Sequence, residues 1–228
     1  MKLGFVGAGN MATALAVGIG EPVLVHDPDR ARALALAERV GGATCSSNRE
    51  LAERADLVVL CCKPAQLQTV AGEIRGHVAA VASVLALTPL AALAAEFGDE
   101  VPLYRLMPNL PVAVGRGVIG YVPGPNAADG PERELRALLG RAGEVVEVAE
   151  RDLDALMALA SCGPAFVARF LAELAAAGAR LGLDPELAGR LAQLTAGGTL
   201  AYLDAERIEP AELERRVATP GGATERGL

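Results

Sequence analysis

The chain opens with Lys2-Leu3-Gly4-Phe5-Val6-Gly7-Ala8-Gly9-Asn10-Met11-Ala12, an apolar run that enters a glycine turn and leaves it at once as a helix. This stretch predicts a strand, a tight loop and a helix arranged to hold a dinucleotide. Gly7 permits the sharp turn, and Gly9 lets the backbone approach a pyrophosphate with no side chain in the way. Ala12 stands where a third glycine is usual and is small enough for the helix to pack closely on the strand. The phosphates would meet the free N–H groups and positive dipole end of a helix beginning near Asn10. A plain βαβ turn that binds nothing can carry the same glycines. Against that reading, a second apolar run, Pro22 to His26, ends in Asp27, 20 residues beyond Gly7, the distance at which a ribose-binding acid is found.

Strand and helix patterns alternate as far as about residue 148. Helical spacing covers Asp29 to Val40, Asn48 to Arg54 and the amphipathic stretch Gln66 to Val78, with a short strand at Ala43 to Cys45. Asp56 to Cys61 is almost continuously apolar, which marks a strand buried on both faces. Ser83 to Leu87 reads as the next strand, and Thr88-Pro89 as a helix start with threonine capping and proline first. Pro102 to Leu106 is a further strand, and Met107-Pro108-Asn109-Leu110-Pro111 a rigid loop at its end, where open α/β sheets place ligands. Strands at Gly117 to Val122 and Glu144 to Val148 flank a helix, Glu132 to Arg141. The alternation predicts a parallel sheet covered by helices on both faces.

From Asp152 onward only helical spacing remains, interrupted at Gly163-Pro164 by a kink or a join. Asp184-Pro185 and Glu209-Pro210 begin further helices, and Thr219-Pro220-Gly221-Gly222-Ala223-Thr224 forms a second glycine loop. That loop also reads as a helix start, with Thr219 as cap, and an exposed helix N-terminus is itself an anion site. The boundary falls near Glu150, giving domains 1–149 and 150–228. Helices so apolar need more surface to cover them than the chain supplies, which predicts dimerisation.

A net charge of −7 argues against nucleic acid and acidic lipid surfaces as partners. No stretch reads as a membrane span, and the first strand is needed by the motif, so a cytoplasmic protein is expected. Cys45, Cys61 and Cys62 read as small buried residues in a reducing compartment, the last two pointing to opposite faces of a strand. Neither a Cys-x-x-Cys pair nor His26 with His77 gives metal-ligand spacing, so no metal is expected.

Five motifs in order, Gly7-x-Gly9-Asn10-Met11, Lys63-Pro64, Met107-Pro108-Asn109-x-Pro111, Gly163-Pro164-Ala165-Phe166 and Pro220-Gly221-Gly222-Ala223-Thr224, resemble pyrroline-5-carboxylate reductase. The resemblance implies an α/β fold, with an N-terminal Rossmann domain of doubly wound, mostly parallel sheet and a smaller all-helical dimerisation domain. The substrate, a cyclic imine carboxylate, would lie near the glycine loop at the dimer interface. Its carboxylate suits the backbone N–H groups of Gly221, Gly222 and Ala223 together with Thr219. By resemblance, Thr224 would meet the ring nitrogen. Met11 and Asn10 would lie over the pyrophosphate, Lys63-Pro64 and Pro108-Asn109 would flank the nicotinamide, and Asn48 would sit near the adenosine ribose. Lys63 also reads as a solvated charge at a strand end.

The cofactor is NADH or NADPH. Asp27 favours NADH, because a carboxylate accepts from a free ribose 2′-OH and repels a 2′-phosphate. Arg30 and Arg32, and the habit of the family, keep NADPH open. Cys162 stands where the family has a serine, and a thiol is the poorer hydrogen-bond donor. The family's chains continue for some helical turns past the position of Leu228, so the dimerisation domain is expected to be short at this end. Two other readings remain: a different Rossmann reductase, such as the F420-dependent NADP reductases, and a reductase-like protein that binds NAD(P) without catalysis.

Overall fold

The computed structural model describes residues 1–228. Residues 1–164 form one compact unit and residues 165–228 a second. The first holds eight strands: β1 (Leu3–Val6), β2 (Leu24–His26), β3 (Ala43–Thr44), β4 (Leu57–Leu60), β5 (Val81–Ser83), β6 (Leu103–Pro108), β7 (Gly117–Pro123) and β8 (Gly143–Glu147). They make a single sheet in the order β3-β2-β1-β4-β5-β6-β7-β8. Every neighbouring pair is parallel except β6 and β7, which run antiparallel with Leu106 opposite Tyr121. The chain winds outward from β1 to β3, then crosses back to lay β4 on the other side of β1. The reversal point is therefore the β1/β4 edge.

Helices α1 (Asn10–Ile19), α2 (Arg30–Val40), α3 (Asn48–Arg54), α4 (Leu67–Ile74), α5 (Leu90–Phe97) and α6 (Glu132–Ala142) cover the two faces. Leu15, Ile19, Leu36, Leu135 and Leu139 pack against Phe5, Val25, Leu57, Val59 and Leu106 on one side. Leu51, Ile74, Leu93 and Phe97 pack against Val6, Val58, Leu60 and Val81 on the other. Alternate residues of β4 thus enter opposite cores, which is why that strand is apolar throughout.

Several boundaries differ from those read in the sequence. Strand β5 lies at Val81–Ser83 and pairs with β4 so that Val81 stands opposite Val58; Val84 to Leu87 lie beyond it, and Leu87 has φ +56°. Thr88 does not cap α5: its hydroxyl donates to Ala86 O, and Pro89 precedes the first helical residue, Leu90. Strand β6 runs on through Met107 and Pro108 because Pro108 lies opposite Ile119 of β7. Helix α4 ends at Ile74, after a 3₁₀ turn at Pro64–Gln66.

Beyond β8 come α7 (Leu153–Leu156), a π-helical turn at Met157–Ser161, α8 (Gly163–Arg180), α9 (Pro185–Glu206) and α10 (Pro210–Val217). Gly163-Pro164 does not break the helix; the irregularity is the π turn before it. Glu150–Arg180 is consequently one helical run of 31 residues, long and apolar enough to cross a membrane by length and composition. The absence of such a stretch, read from the sequence, is corrected here. The sequence reading split the run at Gly163-Pro164, whereas proline is tolerated in the first turn of a helical segment.

Within the second unit Asp184 caps α9, accepting from the N–H groups of Glu186 and Leu187 at 3.1 Å each. Phe166, Phe170, Leu194 and Leu200 are exposed. Thr219 to Leu228 stays in turns rather than beginning a helix, in a segment where Gly221, Gly222 and Gly227 each carry a high helical cost.

Candidate active site

Gly7 leaves β1 at φ +100°, a conformation that disfavours any side chain. A Cβ there would also stand 2.7 Å from the carbonyl oxygen of Cys61, so the turn lies hard against the end of β4. At Gly9 a Cβ would meet nothing within 4 Å. Gly9 caps α1 with no side-chain bond, which leaves the first N–H groups of the helix, from Asn10 and Met11 onward, without intrahelical partners. A cavity of about 410 Å³ opens there, lined by Gly7, Gly9, Asp27, Asn48, Cys62 and Lys63 among others. It sits at the carboxyl ends of β1 and β4, where the strand order reverses and doubly wound sheets bind ligands.

Asp27 lines this cavity. Its Oδ2 accepts the N–H of Ala8, in the middle of the glycine turn, at 2.7 Å, and its Oδ1 accepts the N–H of Asp29 at 2.8 Å. The carboxylate therefore ties the end of β2 to the loop after β1, a bond the spacing of the motif did not reveal. Each oxygen keeps a second lone pair for a hydroxyl. Around the Asp27-Pro28 corner lies a second cavity of about 470 Å³, lined by His26, Arg30, Thr44, Cys45, Ser46 and Glu50 among others. Arg32 faces the first cavity and pairs with Asp29 at 3.3 Å.

Asn48 is buried. Its amide nitrogen donates to Glu73 Oε2 at 2.7 Å, while Oδ1 is buried with no partner. An unpaired buried oxygen is costly, and in the wall of a cavity it is an acceptor awaiting a donor. Free helix amides, an open Gly9 and this oxygen fit a dinucleotide. Lys63 is exposed and lines the same cavity; its own N–H is held by the Gln66 side chain at 3.0 Å. Cys61 and Cys62 line it too and enter opposite cores; burial pushes the thiol of Cys62 above its ordinary range.

The structure does not bring Pro108 and Asn109 to the lining of either cavity; both are buried. The Asn109 amide is engaged at both ends, its Nδ2 donating to Ala160 O at 3.0 Å and its Oδ1 accepting the Val118 N–H at 2.9 Å. Ala160 belongs to the π turn, whose i→i+5 geometry is seen in the bond from Cys162 N to Met157 O at 3.0 Å. Nearby, Glu150 accepts the Leu90 N–H at 2.7 Å and pairs at 3.0 Å with the buried Arg105. No local pattern announces these ties, because both partners are distant in sequence.

Residues 150–228 match the family described as pyrroline-5-carboxylate reductase dimerisation, and residues 2–86 the family described as NADP oxidoreductase, coenzyme F420-dependent. The pyrroline-5-carboxylate reductase of Aquifex aeolicus is 33% identical over 233 residues, covering 100% of this chain and 88% of the relative. The chain belongs to the pyrroline-5-carboxylate reductase family. Solved structures agree with this. The Plasmodium falciparum reductase with NADP bound gives a TM-score of 0.89 at 28% identity, covering 100% of this chain and 87% of the other. The Streptococcus pyogenes reductase gives 0.91 at 26%, covering 100% and 88%.

The remaining residues to which the family resemblance points lie in the helical part. Cys162 is exposed, immediately after the π turn. In the second unit Gly221 has φ +75°, and Thr219, Ala223 and Thr224 are exposed. The Gly222 N–H is not free for an anion as the sequence reading supposed: it donates to Thr219 O at 2.9 Å and closes the turn. The Gly221 amide is met by Glu225 Oε2 at 2.6 Å.

Proposed function

We propose that this chain reduces 1-pyrroline-5-carboxylate to L-proline with NADH or NADPH. One observation carries the reading: 33% identity along the whole chain to a pyrroline-5-carboxylate reductase, in a chain whose β1/β4 cavity fits a dinucleotide. When bound, the reduced nicotinamide supplies the hydride taken up by the C=N carbon of the imine. The amides at Asn10 and Met11, beyond Gly7 and Gly9, hold the pyrophosphate, and Asn48 Oδ1 accepts from a ribose hydroxyl. Asp27 favours a free 2′-OH over a phosphate. Lys63 and Pro64 flank the reacting end, while Asn109 acts from behind it by holding the π turn.

The loop at Thr219 receives the substrate carboxylate through the amides of Gly221 and Ala223 and the threonine hydroxyl. Thr224 meets the ring nitrogen, whose protonated form is the better hydride acceptor, and the Cys162 thiol is a weaker donor than the family's serine. We assign residues 1–149 to cofactor binding and 150–228 to dimerisation and substrate, with a homodimer as the working form. Four free cysteines support a reducing compartment, the cytoplasm. A second reading, an F420-dependent NADP reductase, draws only on the match over residues 2–86 and gives residues 150–228 no role.

The test is turnover by the full chain of pyrroline-5-carboxylate, and of 1-pyrroline lacking the carboxylate, with each cofactor. The carboxylated imine is the better substrate on this account. Preference for the neutral imine would point to another imine reductase, and cofactor binding without turnover of either would favour the non-catalytic reading.

A further inference from the structure

The glycine loop of the second unit already holds a carboxylate, and it is the chain's own. Gly221 donates its N–H to Glu225 Oε2 at 2.6 Å, the short distance of a charge-assisted bond. The neighbouring Gly222 amide is spent on Thr219 O, so of the loop's amides Gly221 is the one with an anion on it. We infer that Glu225 is an internal competitor for the substrate's carboxylate, and thereby sets the affinity of the site. The inference rests on the reading that this loop receives that carboxylate.

The physical argument has two parts. A carboxylate four residues away along the chain rebinds intramolecularly, so a ligand must displace it before it can use the Gly221 amide. Once displaced, Glu225 still places a negative charge beside the incoming one. Both effects oppose binding of an anion and leave a neutral ligand untouched. Glu225 is itself exposed and returns to water when displaced, so the penalty is modest, about fivefold for one hydrogen bond.

The experiment uses the full chain with Glu225→Gln and Glu225→Ala. KM for pyrroline-5-carboxylate falls about fivefold in Glu225→Ala and by less in Glu225→Gln, whose amide oxygen still accepts but carries no charge; kcat is unchanged, and KM for 1-pyrroline does not move. The Gly221 amide resonance shifts in Glu225→Gln, and titration of the unsubstituted chain with L-proline shifts the same resonance. An unchanged or raised KM for the carboxylated imine in both variants overturns the inference, as does a Gly221 resonance that ignores both Glu225→Gln and L-proline. If the unsubstituted chain does not reduce pyrroline-5-carboxylate at all, the functional reading falls, while the resonance still decides whether Glu225 and an added carboxylate share Gly221.

Discussion

At Asp27 the two carboxylate oxygens each accept one backbone N–H, from Ala8 and from Asp29, so the residue shapes the glycine turn as well as facing the cavity. Replacing it with serine exchanges a charged acceptor for a ribose 2′-OH for a shorter, neutral hydroxyl and loosens the Ala8 bond. Asp27→Ser should therefore raise Kd for both cofactors, and for NADH more than for NADPH; an equal rise in a binding titration would contradict the assignment. Across the Asp27-Pro28 corner, Glu50 offers a pH test. The hydroxyl and then the N–H of Ser46, followed by Arg54, hold its carboxyl at about 2 against an ordinary 4.5. A group depressed on folding contributes stability above its unfolded value, and that contribution is lost as pH falls from about 4.5 toward 2. The Glu50 resonance should titrate near pH 2 and move upward in Ser46→Ala; a midpoint indifferent to that substitution would remove the hydroxyl as the main cause.

Between elements, Asn109 is the tie that joins the end of β6 to β7 and to the π turn. Asn109→Ala leaves the Val118 N–H and the Ala160 C=O without their partner, and urea unfolding should show a loss of about 2–4 kcal/mol. A loss below about 0.5 kcal/mol, the range of an ordinary surface change, would mean that water replaces the amide. The same elements show what was legible beforehand. The β1 turn and α1 were readable because Gly7 and Gly9 stand between an apolar run and a helix, and Asp29 and Asp184 begin helices by local chemistry. Strand β5 shares only Ser83 with the strand read in the sequence, because Val81 to Ser83 is chosen by its partners on β4 and β6, and Pro108 sits in a strand for the same reason. The π turn and the Asn109 bonds depend on contacts 51 and 53 residues apart in sequence, which no local pattern carries.

For the molecule as a whole, the exposed apolar surface of α8 and α9 is where the proposed dimer would close. Phe166 is 65% exposed and Phe170 63%, and burying each is worth about 1.5–3 kcal/mol. In detergent-free buffer, sedimentation should give a mass of two chains or a multiple of two, and Phe166→Asp with Phe170→Asp should shift it toward one; a monomer before substitution would contradict the proposed dimer. The mostly parallel sheet and a dinucleotide site after its first strand were foreseeable from the βα alternation and the glycine turn, whereas the antiparallel β6/β7 pair and the continuity of Glu150–Arg180 were not, the latter because the sequence places glycine and proline in its middle. The central claim, hydride delivery to the C=N carbon of pyrroline-5-carboxylate, is tested most directly with a cofactor deuterated on the transferred position. The account predicts L-proline carrying one deuterium on the ring carbon next to nitrogen and away from the carboxylate; unlabelled proline, or no proline while the cofactor binds, would contradict it.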